Sequence, residues 1–129
     1  MCIKRRLFIT IILISINLFT ASAGEIDKLK SKLKNVSDQE KIKILNELAG
    51  IYWELPPDDR IAFAGKAIEL AKKFNDFKSI AEAYNHLGVA YNNQGDSQKS
   101  MDYFLKALGI MEQIEDKSGV ARSFTNIGQ

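Results

Sequence analysis

The sequence predicts an all-α chain, a solenoid of antiparallel helix pairs, and three observations carry that expectation. Apolar residues recur at the three-and-four spacing of one helical face, at Ala81, Tyr84, Leu87, Gly88 and Tyr91. A second stripe follows at Met101, Phe104, Leu105, Ala107, Leu108 and Met111. Between them Gln94-Gly95-Asp96 breaks the pattern, with Gly95 suited to a helix C-terminus and Asp96 to the next N-cap. The unit then repeats. Leu48, Ala49 and Tyr52 precede Leu87, Gly88 and Tyr91 by 39 residues. Phe63, Lys66, Ala67 and Ile68 precede Tyr103, Lys106, Ala107 and Leu108 by 40, and Phe124, Ile127 and Gly128 follow Tyr84, Leu87 and Gly88 by 40.

From the start of the chain, residues 1–23 read as a secretory signal peptide. Lys4-Arg5-Arg6 is its positive region, Leu7 to Phe19 its apolar run, and Ala21-Ser22-Ala23 a small-residue cleavage site before Gly24. The apolar run is short for a membrane span and no stop-transfer pattern follows. Cleavage changes the charge balance. Lys+Arg is 18 and Asp+Glu 16 in the whole chain, and loss of Lys4, Arg5 and Arg6 leaves 15 against 16. A mature chain at −1 gives no ground for nucleic-acid binding. Its one cysteine, Cys2, leaves with the signal, which excludes disulfides and cysteine-based zinc sites. The expected location is the bacterial periplasm or the medium, with the membrane met only through the signal peptide or a downstream segment.

The exported part, 24–129, is expected to be one repeat domain. EIDKLKSKLK places Ile26, Leu29 and Leu33 on one face, so 25–36 reads as an N-terminal helix covering the first repeat. Repeat 1 spans 37–75. It opens on the capping box Ser37-Asp38-Gln39-Glu40, with a helix running to about Glu54 and Ile42, Leu45, Leu48, Ala49 and Tyr52 inward. Pro56-Pro57 ends it and starts a helix carrying Ile61, Phe63, Ala64, Ala67, Ile68 and Ala71. Repeat 2 spans 76–116. Residues 117–129 supply the first helix of an incomplete repeat 3, expected to begin near Val120, with Val120, Phe124 and Ile127 short of cover. The expectation is the N-terminal part of a longer protein.

Tyr84, Leu87, Gly88, Tyr91, Phe104 and Ala107 stand at the spacings of the tetratricopeptide repeat signature, and the chain resembles that family. Ser100 stands at the signature's middle alanine, and Glu112 where a late proline is usual. The period of about 40 resembles the long-repeat branch of bacterial sensor and regulator proteins and some eukaryotic adaptors, against the usual ~34. Phe74-Asn75-Asp76 and Ile114-Glu115-Asp116 would supply the added length. The resemblance implies a right-handed superhelix that binds a protein or peptide on its concave face, without enzymatic activity or cofactor.

Within that frame the second, fifth, ninth and twelfth positions of each first helix point into the groove. They are Lys43, Asn46, Gly50 and Trp53, then Glu82, Asn85, Val89 and Asn92, then Arg122, Thr125 and Gln129. The candidate groove residues are therefore Lys43, Asn46, Trp53, Glu82, Asn85, Val89, Asn92 and Arg122. Asn46 and Asn85 recur at one position, and an amide suits a peptide backbone because it both donates and accepts. The Lys/Asn/Arg clamp that some relatives use for a terminal carboxylate is not matched, since Gly50 and Val89 stand where an Asn is needed. His86, with Glu82 one turn before it, finds no third metal ligand and is read as lying beside the buried face. No phosphate loop, nucleophile elbow or paired carboxylates are present, so neither catalytic nor metal residues are expected. The functional expectation is an exported protein- or peptide-binding module. The alternative is the extracytoplasmic sensory region of a membrane signalling enzyme such as a sensor histidine kinase.

Overall fold

The computed structural model describes Lys4, residues 24–52 and residues 54–128. The chain divides into two compact units, Met1–Asn35 and Val36–Gln129. In the first, residues 24–32 form helix α1, with Ile26 and Leu29 buried. This helix stops short of the expected 25–36. Ser37 caps the next helix from extended backbone (φ −64°, ψ 158°), so the chain must leave the helix before it. Apart from Lys4, the signal peptide expected over 1–23 lies outside the described residues, as does Trp53.

The second unit contains helices α2 (Asp38–Ala49), α3 (Pro57–Lys73), α4 (Phe77–Asn93), α5 (Ser97–Gln113) and α6 (Lys117–Ile127). Among the described residues there is no strand, and no helix is long and apolar enough to cross a membrane. The starts of α2, α4 and α6 are 39 and 40 residues apart, and those of α3 and α5 are 40 apart. One turn device sets this rhythm. Asn75, Gly95 and Glu115 take positive φ (51°, 83° and 57°), turning the chain out of α3, α4 and α5. The next residue is each time an aspartate, and Asp76, Asp96 and Asp116 accept from the N–H of Ser79, Lys99 and Gly119 at 3.1, 3.1 and 3.0 Å. These caps hold the Asp96 and Asp116 carboxyls below their usual pKa, because the hydrogen bond favours the charged form.

Two boundaries differ from expectation. Helix α2 ends at Ala49, not near Glu54, with the Gly50 N–H closing on Asn46 and Glu47 carbonyls. Tyr52 therefore sits in the turn and is 41% exposed rather than inward. Helix α6 begins at Lys117 rather than Val120, because Asp116 already caps it through Gly119. At the other end of α2, half of the expected capping box forms, with Ser37 Oγ accepting from Glu40 N–H at 3.3 Å.

Helix α4 is the packing centre, meeting α3 and α5 extensively, α2 less and α6 only slightly. Ile80, Ala81, Ala83, Asn85, Leu87, Gly88 and Ala90 are buried on it. A methyl group at Gly88 would collide with the Phe104 ring of α5, so the missing side chain is what lets the two helices meet. On α5 the buried residues are Ser100, Phe104, Ala107 and Met111, while Met101 and Leu105 are exposed, against expectation. The face that meets α4 is narrower than the apolar stripe, and these two lie beyond its edge. Alongside, Tyr91 stacks on Tyr103 at 5.5 Å, and Lys99 and Lys106 cover the rings at 5.1 and 4.9 Å. Phe124 on α6 is 56% exposed, and Val120 and Ile127 are half-buried.

Candidate functional site

A cavity of about 600 Å³ opens along the first helices of the successive pairs. Helix α2 contributes Lys43, Asn46 and Glu47, the following turn Gly50 to Tyr52, α4 Ser79, Glu82, Asn85 and His86, and α6 Arg122 and Asn126. The structure thus brings together Lys43, Asn46, Glu82, Asn85 and Arg122 of the residues expected in the groove. Val89, half-buried, and Asn92, exposed, lie further along α4 and are not part of this lining. Helix α2 ends at Ala49, whose counterpart on α4 is Gly88, so both residues lie on the part of α4 beyond that point.

The asparagines are deeper than a polar groove face implies. Asn46 is 6% and Asn85 5% exposed. Asn46 Nδ2 donates to the Ser79 carbonyl at 3.0 Å, tying α2 to the start of α4. Asn126 Nδ2 donates to Asn85 Oδ1 at 3.3 Å, tying α6 to α4. Each buried amide keeps one group without a partner, Oδ1 of Asn46 and Nδ2 of Asn85. A buried polar group left so costs free energy until a ligand or water meets it.

His86 belongs to the cavity, which the sequence reading missed. The signal was present: Glu47, His86 and Asn126 hold equivalent positions in the three first helices, and all three line the cavity. The ring is placed by Gly50, whose absent Cβ would lie 3.0 Å from His86 Cε1. Tyr52 Oη and His86 Nδ1 are 3.2 Å apart. The phenol is the stronger acid and the imidazole the stronger base, so the hydroxyl donates and Nε2 carries the ring proton. Burial, then Arg122 and Arg60, pull the His86 pKa down to about 4, so the ring is neutral near pH 7. Arg60 lies beneath Tyr52, its guanidinium 4.5 Å from the ring centre, with Nε donating to the Ala49 carbonyl at 3.2 Å. On the other side Arg122 Nη2 approaches Glu82 Oε1 at 3.8 Å. Among the described residues no group of three or more histidines, cysteines, aspartates or glutamates is placed to hold a metal ion.

The family model for the tetratricopeptide repeat matches residues 81–113, the stretch that forms all but the start of α4 and all of α5. Residues 81–113 form a tetratricopeptide repeat. It is also similar to the heat shock protein sti1 homolog of Schizosaccharomyces pombe, at 41% identity over 69 residues. That match takes in 52% of this chain but 12% of the yeast protein. Such a repeat supports a protein–protein interaction module.

Proposed function

We propose that this is an exported module that captures an extended segment of a partner protein along the α2–α4–α6 cavity. The observation that carries the reading is the pair Asn46 and Asn85, at equivalent positions, both buried, both lining the cavity, each with one unpartnered amide group. An extended backbone offers alternating N–H and C=O groups. Oδ1 of Asn46 and Nδ2 of Asn85 are closed to water in the free chain. A segment that parts the lining over them gives the first an N–H and the second a carbonyl, so the register is set without reading side chains. The 39- and 40-residue spacing of the first helices supports the long-repeat type. The yeast relative's printed name, a heat shock protein, supports protein rather than small-molecule partners.

Export rests on Lys4-Arg5-Arg6, the apolar run and Ala21-Ser22-Ala23. The secreted product should begin at Gly24, and an intact mass retaining residues 1–23 in the exported fraction would overturn that part. For the groove, the side-chain amide resonances of Asn46, Asn85 and Asn126 should shift when capped peptides are added. Peptide binding that moves other residues and leaves these three in place would overturn it.

A further inference from the structure

The turn between α3 and α4 carries side chains that its backbone does not need. Phe74 and Phe77 are 43% and 46% exposed, and Lys72, Lys73, Asn75 and Lys78 around them are exposed too. The backbone closes on itself, with Asp76 N–H donating to the Ala71 carbonyl at 3.0 Å and Asn75 N–H to the Lys72 carbonyl at 3.3 Å. Asn75 supplies the positive φ and Asp76 the cap. The turn between α5 and α6 repeats both devices with Glu115 and Asp116. There Ile114 stands for Phe74 and packs against the Ala81, Ala107 and Met111 cluster, and Lys117 stands for Phe77. Glu112, Gln113 and Ser118 stand where the other turn has its three lysines. The same turn is thus built twice, and the exposed rings and lysines belong to one version only.

Charge separates the two turns as well. Residues 72–78 hold three lysines and one aspartate, a balance of +2, against −2 for residues 112–118. The aspartate, Asp76, is half-buried, and its carboxylate accepts from the Ser79 N–H at 3.1 Å and the Ser79 hydroxyl at 2.6 Å. Glu69 lies exposed one turn before Lys73, whose charge also reaches Asp38. Lys78 meets Asp116 at 3.8 Å with its own side chain 63% exposed. Pairings this open to water are weak, so the lysines stay available.

We propose that the 72–78 turn is a docking point for the surface of an anionic phospholipid bilayer. The ammonium groups lie among headgroup phosphates while the two rings enter the acyl boundary, which removes them from water. The same residues argue against a protein partner, because lysine is depleted in the cores of protein interfaces. This contact needs neither a leader nor a downstream span. None of residues 72–78 lines the α2–α4–α6 cavity, so docking leaves that cavity free.

The test takes the chain in its finished form, with variants that keep the same leader, if any. It is sedimented with vesicles of phosphatidylcholine, with or without phosphatidylglycerol. Binding should require phosphatidylglycerol and weaken as salt rises. Lys72→Gln, Lys73→Gln and Lys78→Gln together should weaken it by more than about tenfold, at up to roughly fivefold for each lysine. Phe74→Gln with Phe77→Gln should cost roughly tenfold on the same vesicles. Lys28→Gln, Lys32→Gln and Lys34→Gln remove as much charge elsewhere and should cost far less. In the native chain, spin-labelled lipid should broaden the amide signals of 72–78 more than those of 112–118. That reading needs no variant, so it holds even where the phenylalanine pair is required for folding. Equal binding to phosphatidylcholine alone, an equal loss in the Lys28, Lys32 and Lys34 variant, or broadening centred outside 72–78 would overturn the proposal. Self-association abolished by the phenylalanine changes, without vesicle binding, would overturn it too and assign the turn to a second copy.

Discussion

The ring of His86 fills the space that a side chain at Gly50 would occupy, a Cβ there lying 3.0 Å from His86 Cε1. Gly50 has φ −82° and ψ −5°, a conformation any residue adopts, so its value is room rather than backbone freedom. Gly50→Ala gains about 0.4–1 kcal/mol by restricting the unfolded chain, and loses a similar amount by displacing the imidazole. Stability should change by less than ~0.5 kcal/mol. The Tyr52–His86 hydrogen bond should lengthen, and titration by NMR should show the His86 pKa rising toward 6.5 as the ring swings into water. A His86 pKa unmoved by the extra methyl would mean the contact does not position the ring.

His86 also sets an acid limit. Its pKa is lowered from 6.5 to about 4 on folding, so the folded state favours the neutral ring and the unfolded chain binds the proton first. The resulting stability is complete above about pH 6.5 and drains away as pH falls toward 4. After discounting for the ring's part exposure, the loss is on the order of 2 kcal/mol. Urea midpoints from pH 7 to pH 4 should fall less steeply in His86→Gln than in the native chain; parallel slopes would assign the acid sensitivity elsewhere.

Glu115 turns α5 into α6 with φ 57°, where an L side chain crowds its own backbone. Its counterparts are Asn75, which tolerates this region, and Gly95, which has no penalty there. Glu115→Gly should stabilise the chain by about 1 kcal/mol, read as a rise in thermal midpoint. A fall would mean the Glu115 side chain makes a contact worth more than the strain.

How far the sequence spoke can be judged from these positions. Gly95-Asp96 was legible because turn chemistry is local, whereas Glu115 carries no local mark of its positive φ. The helix faces were legible to within about one residue of their edges. Phe104 and Ala107 face the core as their spacing requires, but Met101 and Leu105 sit just past the edge, where only the placement of α4 decides exposure. Arg60 was invisible, since a charged residue at 1% exposure contradicts every compositional prior. The His86 site was hidden for a related reason. Its partner Tyr52 enters the cavity only because α2 stops at Gly50, and a continuous helix to Glu54 would have turned that ring into the core.

The asparagines change the expected outcome of mutation. As residues on an open polar face, Asn46→Ala and Asn85→Ala would be nearly neutral. At 6% and 5% exposure, with bonds to the Ser79 carbonyl and to Asn126, each should instead cost roughly 1 kcal/mol. The Asn85 change also leaves Asn126 Nδ2 without its acceptor, so combining it with Asn126→Ala should cost less than the sum of the two. Urea denaturation of both singles and the double gives the coupling, and strict additivity would show that the Asn85–Asn126 bond contributes nothing.

The tightest packing test lies between α4 and α5. Gly88 is buried, and the nearest atoms to a Cβ built there are Cε1, Cδ1 and Cζ of Phe104, all from one ring. That ring is itself 6% exposed, so it has little room to swing aside. Gly88→Ala improves helix propensity by about 0.8–1 kcal/mol, but it forces apart two helices in contact along most of their length. Overpacking of this kind costs about 1–3 kcal/mol, which exceeds the propensity gain over most of that range. The variant should melt lower, and Phe104→Leu in the same chain should recover part of the loss by shortening the obstructing side chain. A Gly88→Ala chain as stable as the native one, or one that Phe104→Leu only weakens further, would show that α5 can retreat. The close approach at Gly88 would then not be what fixes this helix pair.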